Sequence, residues 1–167
     1  MLVRTQKKLR EAEFFLGHLI RENSRVLDRE PEAADFYLSS FFTAARSVTL
    51  ILRIENPDVY ELRARNWFSS VPAEDHDLMD FFVNQRNIVQ KEGIADGTFT
   101  TVSLIEFMQD VYRRGGNELV ADGVVATVQP PFTKSETTFA HRPDTSVGAC
   151  CRKYLHLLKQ FVAEFER

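Results

Sequence analysis

Cysteine is nearly absent: two residues in 167, and they are neighbours, Cys150 and Cys151. Adjacent cysteines cannot tie distant parts of a chain together, so a disulfide framework is excluded and a reducing compartment is the simplest reading. Glycine is scarce as well, with seven in all and only Gly17 before residue 93. No apolar run approaches the roughly 20 residues that a membrane-spanning helix needs. Residues 1–13 are mostly charged or polar and contain no apolar signal core, which together with the cysteines gives an expected cytoplasmic location. Neither sign of charge dominates: 21 Lys and Arg stand against 24 Asp and Glu, a net −3, so bulk charge gives no argument for a nucleic-acid partner. There is no Gly-rich phosphate loop, no nucleophile elbow and no cysteine pair at zinc spacing, so neither a cofactor nor a metal is expected.

What the chain has in abundance is phenylalanine, 14 residues, within a composition that is 44% hydrophobic and 27% charged. That is enough apolar material for one core and one domain over residues 1–167. Few glycines and many large rings point to long regular elements packed through aromatic side chains. Leu9, Ala12, Leu16, Leu19, Ile20 and Leu27 recur at helical spacing and predict a first helix over about 3–27. A second, about 31–55, opens on Pro31 and carries Tyr37, Phe41, Ala44, Val48, Ile51 and Leu52, widened by Phe36, Phe42 and Leu50. Asn56 and Pro57 end it and fit the N-cap and first position of a short helix bearing Tyr60, Leu62, Trp67 and Phe68. A further helix spans about 72–91, with Glu74, Asp75, Asp77 and Asp80 at its positive end and Gly93 as its stop.

Six of the seven glycines fall in residues 93–148, marking 93–147 as an insert. Ser103 to Glu106 reads as a capping box for a helix ending at Gly115. Asp122-Gly123 between two β-prone runs predicts a hairpin over 119–128, and a short strand is expected near 137–140. The last helix starts near Ser146, with Cys151, Tyr154, Leu155, Leu158, Phe161, Val162 and Phe165 on its apolar face. The expected fold is mainly all-α: an antiparallel four-helix bundle with an extra short helix and a small β-hairpin inserted before the last helix.

The chemistry-bearing stretch is Asn84-Gln85-Arg86-Asn87, which interrupts an apolar helix. Arg86 and Gln90 share a face, as do Asn87 and Lys91. Arg offers a planar fork of donors and Asn can orient it, a pairing suited to phosphate; the same groups can equally bond backbone or carboxylates within a bundle. The segment from Phe36 to Val48, followed by the Arg86-Asn87 helix, resembles a HEPN-type domain, the helical nucleotide-binding bundles found mostly in prokaryotes. The resemblance covers about residues 5–92 and 146–165 and leaves the insert outside. It implies a homodimer and, in active members, metal-independent RNA cleavage by an Arg and a His in a cleft between two subunits. Arg86 matches the family's Arg and Asn87 its polar residue, but Lys91 stands where the His belongs. A lysine, ordinarily near pKa 10.4, stays an ammonium at neutral pH, and Glu92 beside it favours that form. It can hold a phosphate but is a poor general base.

Arg86, Asn87 and Lys91 are therefore the candidate catalytic residues, and Arg86, Asn87, Gln90 and Lys91 the candidate ligand-binding set. The expected function is a non-catalytic or weakly active module that binds RNA, a nucleotide or a protein as a homodimer. The alternatives are a ribonuclease using Lys91 or His141 as its acid/base, or a structural bundle with the insert as its contact surface. His18 and His156 read as partly buried helix residues, and Asp75-His76-Asp77 as an acidic helix start with a solvated histidine rather than a metal site. Cys151 reads as core packing. Residues 1–30, with 7 basic and 5 acidic side chains, read as a solvated helix face of mixed charge and not as a nucleic-acid stripe. Residues 71–140 carry a net −6, so Arg86 sits in the most acidic part of the chain.

Overall fold

The fold is taken from a computed structural model that describes residues 2–24, 30, 32–92, 97–98, 138–139 and 142–166. Among these, the helices are α1 (Val3–Asn23), α2 (Ala33–Glu55), α3 (Tyr60–Ser70), α4 (Ala73–Glu92) and α5 (Val147–Ala163). The strands are β1 (Gly97–Thr98), β2 (Thr138–Phe139) and β3 (Arg142–Ser146), which form one antiparallel sheet in the order β1-β2-β3. The molecule is mainly all-α, a helical bundle with a small sheet before its last helix. β2 answers to the strand expected near 137–140. The helix over 103–115 and the hairpin over 119–128 lie outside the described residues.

Contacts between side chains fix the helix directions. At one end of the α1–α2 pair the backbone of Arg4 and Thr5 meets Glu55, and at the other His18 stacks on Tyr37 with ring centroids 5.0 Å apart. Gln6 with Glu166 and Glu13 with Lys159 run α1 antiparallel to α5. α4 reaches α5 through Lys153, whose ammonium pairs with Asp75 at 2.5 Å and Glu74 at 3.2 Å. Those two bonds hold the Lys153 ammonium above its ordinary pKa, against the pull of burial.

The start of α1 shows how one helix completes another. An N-terminus leaves N–H groups without helical partners, and Leu2 at the cap position supplies no side-chain acceptor. Glu55, the last residue of α2, provides it instead. Its Oε1 accepts from the Arg4 N–H at 3.0 Å, and its Oε2 accepts from the Thr5 N–H at 3.1 Å and the Thr5 hydroxyl at 2.6 Å. Burial works to raise the Glu55 carboxyl, but the Thr5 hydroxyl, the two N–H groups and the Arg4 charge outweigh it and hold the pKa below its ordinary value.

The core is aromatic, as the phenylalanine count foretells. Phe41, Phe42, Phe82, Phe139 and Tyr154 are all but fully buried around one centre. Phe82 stacks on Tyr154 at 4.2 Å, and Phe139 meets Phe81 at 4.9 Å and Phe82 at 6.1 Å. Each such pair contributes roughly 0.5–1.5 kcal/mol beyond its buried area. A second cluster seats α3 on the end of α5: Trp67 lies 4.9 Å from Phe161, and Tyr60 lies 5.7 Å from Phe165. The apolar face expected for the last helix is the buried one, Cys151 included, and Ser146 caps it by accepting from the Ala149 N–H at 3.2 Å.

Several expectations are corrected. α1 ends at Asn23 rather than 27, and Leu27 lies outside the described residues. Asn56 does not cap α3, which begins at Tyr60; residues 57–59 form a turn, and the Asn56 amide donates back to the Leu52 carbonyl at 3.1 Å. Phe36 and Leu50 do not widen the buried stripe of α2 but are 60% and 45% exposed. His76 is partly buried rather than fully solvated: its ring bonds the Phe68 carbonyl at 2.6 Å and lies against the Phe68 ring. His156 is exposed rather than partly buried, and contacts Gln160 at 3.0 Å.

Candidate functional site

The polar interruption of α4 is divided by helix geometry. At about 100° per residue, four consecutive side chains point in four directions. Gln85 turns inward and is 2% exposed, Asn84 and Asn87 point to solvent, and Arg86 lies between, half-buried. The Arg86 Nη1 donates to Asn87 Oδ1 at 3.3 Å, so the sequence pair is also a structural pair. The Arg86 Nε is buried and has no hydrogen-bond partner among the described residues.

An unsatisfied guanidinium N–H is costly inside a protein, because its hydration is lost without replacement. A guanidinium steadied by a neighbouring amide and left with an unfilled donor is a ready partner for an anion. Arg86 stands more than a turn before the end of α4 at Glu92, beyond the reach of the helix's negative pole, which falls off within the last turn. The backbone of Gln90 and Lys91 belongs to the same helix, and their side chains lie outside the described residues, as does His141. The structure thus brings Arg86 and Asn87 together.

The Asp75-His76-Asp77 run serves the bundle: Asp75 pairs with Lys153 and His76 bonds Phe68. Among the described residues no cluster of His, Cys, Asp and Glu is arranged to hold a metal ion, and no helix is long and apolar enough to cross a membrane. A cleft of about 340 Å³ lies at the other end of the bundle, lined by Arg63, Asn66, Trp67, Ser70 and Glu164. There the Arg63 guanidinium donates to the Glu164 carbonyl and covers the Phe165 ring at 5.8 Å, so its charge is occupied in holding the chain beyond α5.

Two surface features escaped the sequence reading. One is the outer face of α2. Phe36, Ser40, Thr43, Ser47, Leu50 and Ile54 alternate at spacings of four and three, the signature of a helix–helix seam. Phe36, Leu50 and Ile54 are 60%, 45% and 63% exposed. The middle of the row is small, and its hydroxyls turn inward: Thr43 donates to the Ser39 carbonyl at 3.0 Å and Ser47 to the Thr43 carbonyl at 2.8 Å. The row carries no charge. Its heptad signal was available in the sequence but was masked by the buried stripe on the same helix. The other is the outer face of α1, where the exposed Phe14 stands among Lys7, Arg10 and Arg21.

No family model, no curated protein and no solved structure matches this chain.

Proposed function

We propose that the chain is a HEPN-like, non-catalytic homodimeric module that holds the phosphate of a nucleotide or RNA on Arg86 and Asn87. The observation that carries the reading is the half-buried Arg86, steadied by Asn87 and left with an unpartnered Nε. The non-catalytic part is supported by the sequence, which places a lysine, Lys91, where a proton-shuttling histidine would be needed.

The dimer is supported by the α2 row. Laid antiparallel against its own copy, the row is self-complementary: Phe36 falls opposite Ile54, Ser40 opposite Leu50, and Thr43 opposite Ser47. Small residues at the centre let the helices approach, and large ones close the two ends, as an isologous two-fold interface requires. The row spans about 27 Å of helix.

Titration calorimetry with a mononucleotide tests the ligand. Arg86→Ala lowers the affinity at least tenfold, and Asn87→Ala lowers it less. Unchanged affinity in Arg86→Ala removes the site. RNA cleavage by the wild type in EDTA, lost in Arg86→Ala, would replace this reading with that of an enzyme. Sedimentation tests the dimer: the wild type runs as a dimer and Ile54→Glu as a monomer, and a monomeric wild type refutes the seam.

A further inference from the structure

The first helix reads in sequence as a mixture of charges, but folding sorts them. Glu11 is paired with Lys8 at 2.7 Å and Glu13 with Lys159 at 2.8 Å. Lys7, Arg10 and Arg21 are exposed and have no ion-pair partner among the described residues. They fall within about 40° of Phe14 around the helix axis and make one row over about 21 Å.

In the middle of that row Phe14 is 58% exposed. It is not a loose ring. His18 contacts it at 4.4 Å between centroids, Phe15 meets it edge-on at 5.5 Å, and His18 is itself stacked on Tyr37 of α2 at 5.0 Å. The result is an aromatic platform, braced by two helices, between exposed cations on both sides.

We propose that this outer row of α1 binds a single nucleic-acid strand, with Lys7, Arg10 and Arg21 on its phosphates and a base stacked on Phe14. A single strand has the two properties the row complements: regularly spaced negative charge, and exposed π-faces free to stack. A duplex hides its faces, an acidic peptide has none, and neither gives Phe14 a role. The inference stands apart from the Arg86 reading, since it lies on a different helix and uses different groups.

Fluorescence anisotropy of a labelled oligouridylate of about twelve nucleotides, titrated with the full chain, tests it. Binding weakens with salt, with a log–log slope near −2, about 0.7 for each of three phosphates. The triple variant Lys7→Ala/Arg10→Ala/Arg21→Ala lowers affinity at least tenfold and flattens that slope. Phe14→Ala lowers affinity about tenfold and leaves the slope unchanged, and Phe14→Trp restores it. All four positions are exposed, and circular dichroism verifies that the variants remain folded. The proposal is overturned by no binding at low salt, by binding that neither variant weakens, by equal affinity for polyglutamate, or by binding to anionic phosphatidylserine vesicles without binding to the oligonucleotide. A mononucleotide site lost in Arg86→Ala, alongside failure here, would leave the α4 reading standing alone.

Discussion

Replacing Glu55 tests whether one carboxylate couples α1 to α2. Glu55→Ala removes three acceptor contacts from the start of α1: those to the Arg4 N–H, the Thr5 N–H and the Thr5 hydroxyl. Loss of an N-cap costs about 1 kcal/mol, and loss of a negative charge at a helix N-terminus about 0.3–1 kcal/mol. Thr5 adds a further term, because it is fully buried and its hydroxyl would lose its acceptor. Glu55 is only half-buried, so solvent screening trims the sum, to about 2 kcal/mol. For a chain of this length that is a fall in Tm of about 4–8 °C. Glu55→Gln keeps one acceptor oxygen and loses the charge, and should cost about half as much.

The pH dependence carries a definite sign. The folded-state pKa of Glu55 lies below its ordinary value of 4.5. Its contribution is therefore complete above the unfolded-state pKa and fades as pH falls through the lower, folded value. The gap between wild type and Glu55→Gln, measured by urea denaturation, should be constant from neutral pH to about pH 5 and should narrow below that. Thr5→Val combined with Glu55→Ala should cost less than the sum of the two single changes, because they remove a shared bond. A Glu55→Ala variant within about 0.5 kcal/mol of wild type, or a gap that widens in acid, would refute the coupling.

Phe139→Ala should cost about 3–5 kcal/mol in the same assay, since it empties a fully buried site against Phe42, Phe81 and Phe82; a cost below about 1 kcal/mol would show that β2 is not anchored there. Burial pushes the Cys150 and Cys151 thiols up, Cys151 well above its ordinary value, so the folded protein should resist Ellman's reagent and release both thiols in guanidinium; prompt reaction of the folded protein would contradict this. Burial likewise drives the Tyr154 phenol far above its ordinary value, against the opposing charge of Arg46, so in an alkaline ultraviolet titration Tyr154 should ionise only as the chain unfolds.

The helices were legible wherever one periodic stripe met one partner. The face of α5 from Cys151 to Phe165 is buried as its spacing foretells, because that helix has a single apolar side. α2 was harder. It carries a buried stripe and a second, outward row, and periodicity registers both as hydrophobic without saying which meets the core. Phe36 and Leu50 read as inward-facing for that reason. Leu38 is fully buried although it falls between the residues that define the stripe, so the periodicity does not mark it. The pairing of Arg86 with Asn87 could be read from adjacency, but the burial of the Arg86 Nε could not, since it depends on how α4 is rotated in the bundle. The Glu55 cap and the neutralisation of Glu13 by Lys159 join residues far apart in the chain, and no local pattern announces either.

The sheet has a consequence for how the chain is tied together. Gly97 lies opposite Phe139 and Thr98 opposite Thr138, so positions far apart in the chain are paired as direct neighbours. The entropy of bringing two chain positions together grows only as the logarithm of their separation, so this pairing costs only about 2 kcal/mol more than one across a tight turn. Phe139, set against Phe42, Phe81 and Phe82, ties that long-range pairing to the aromatic core, so one buried ring secures both ends of it.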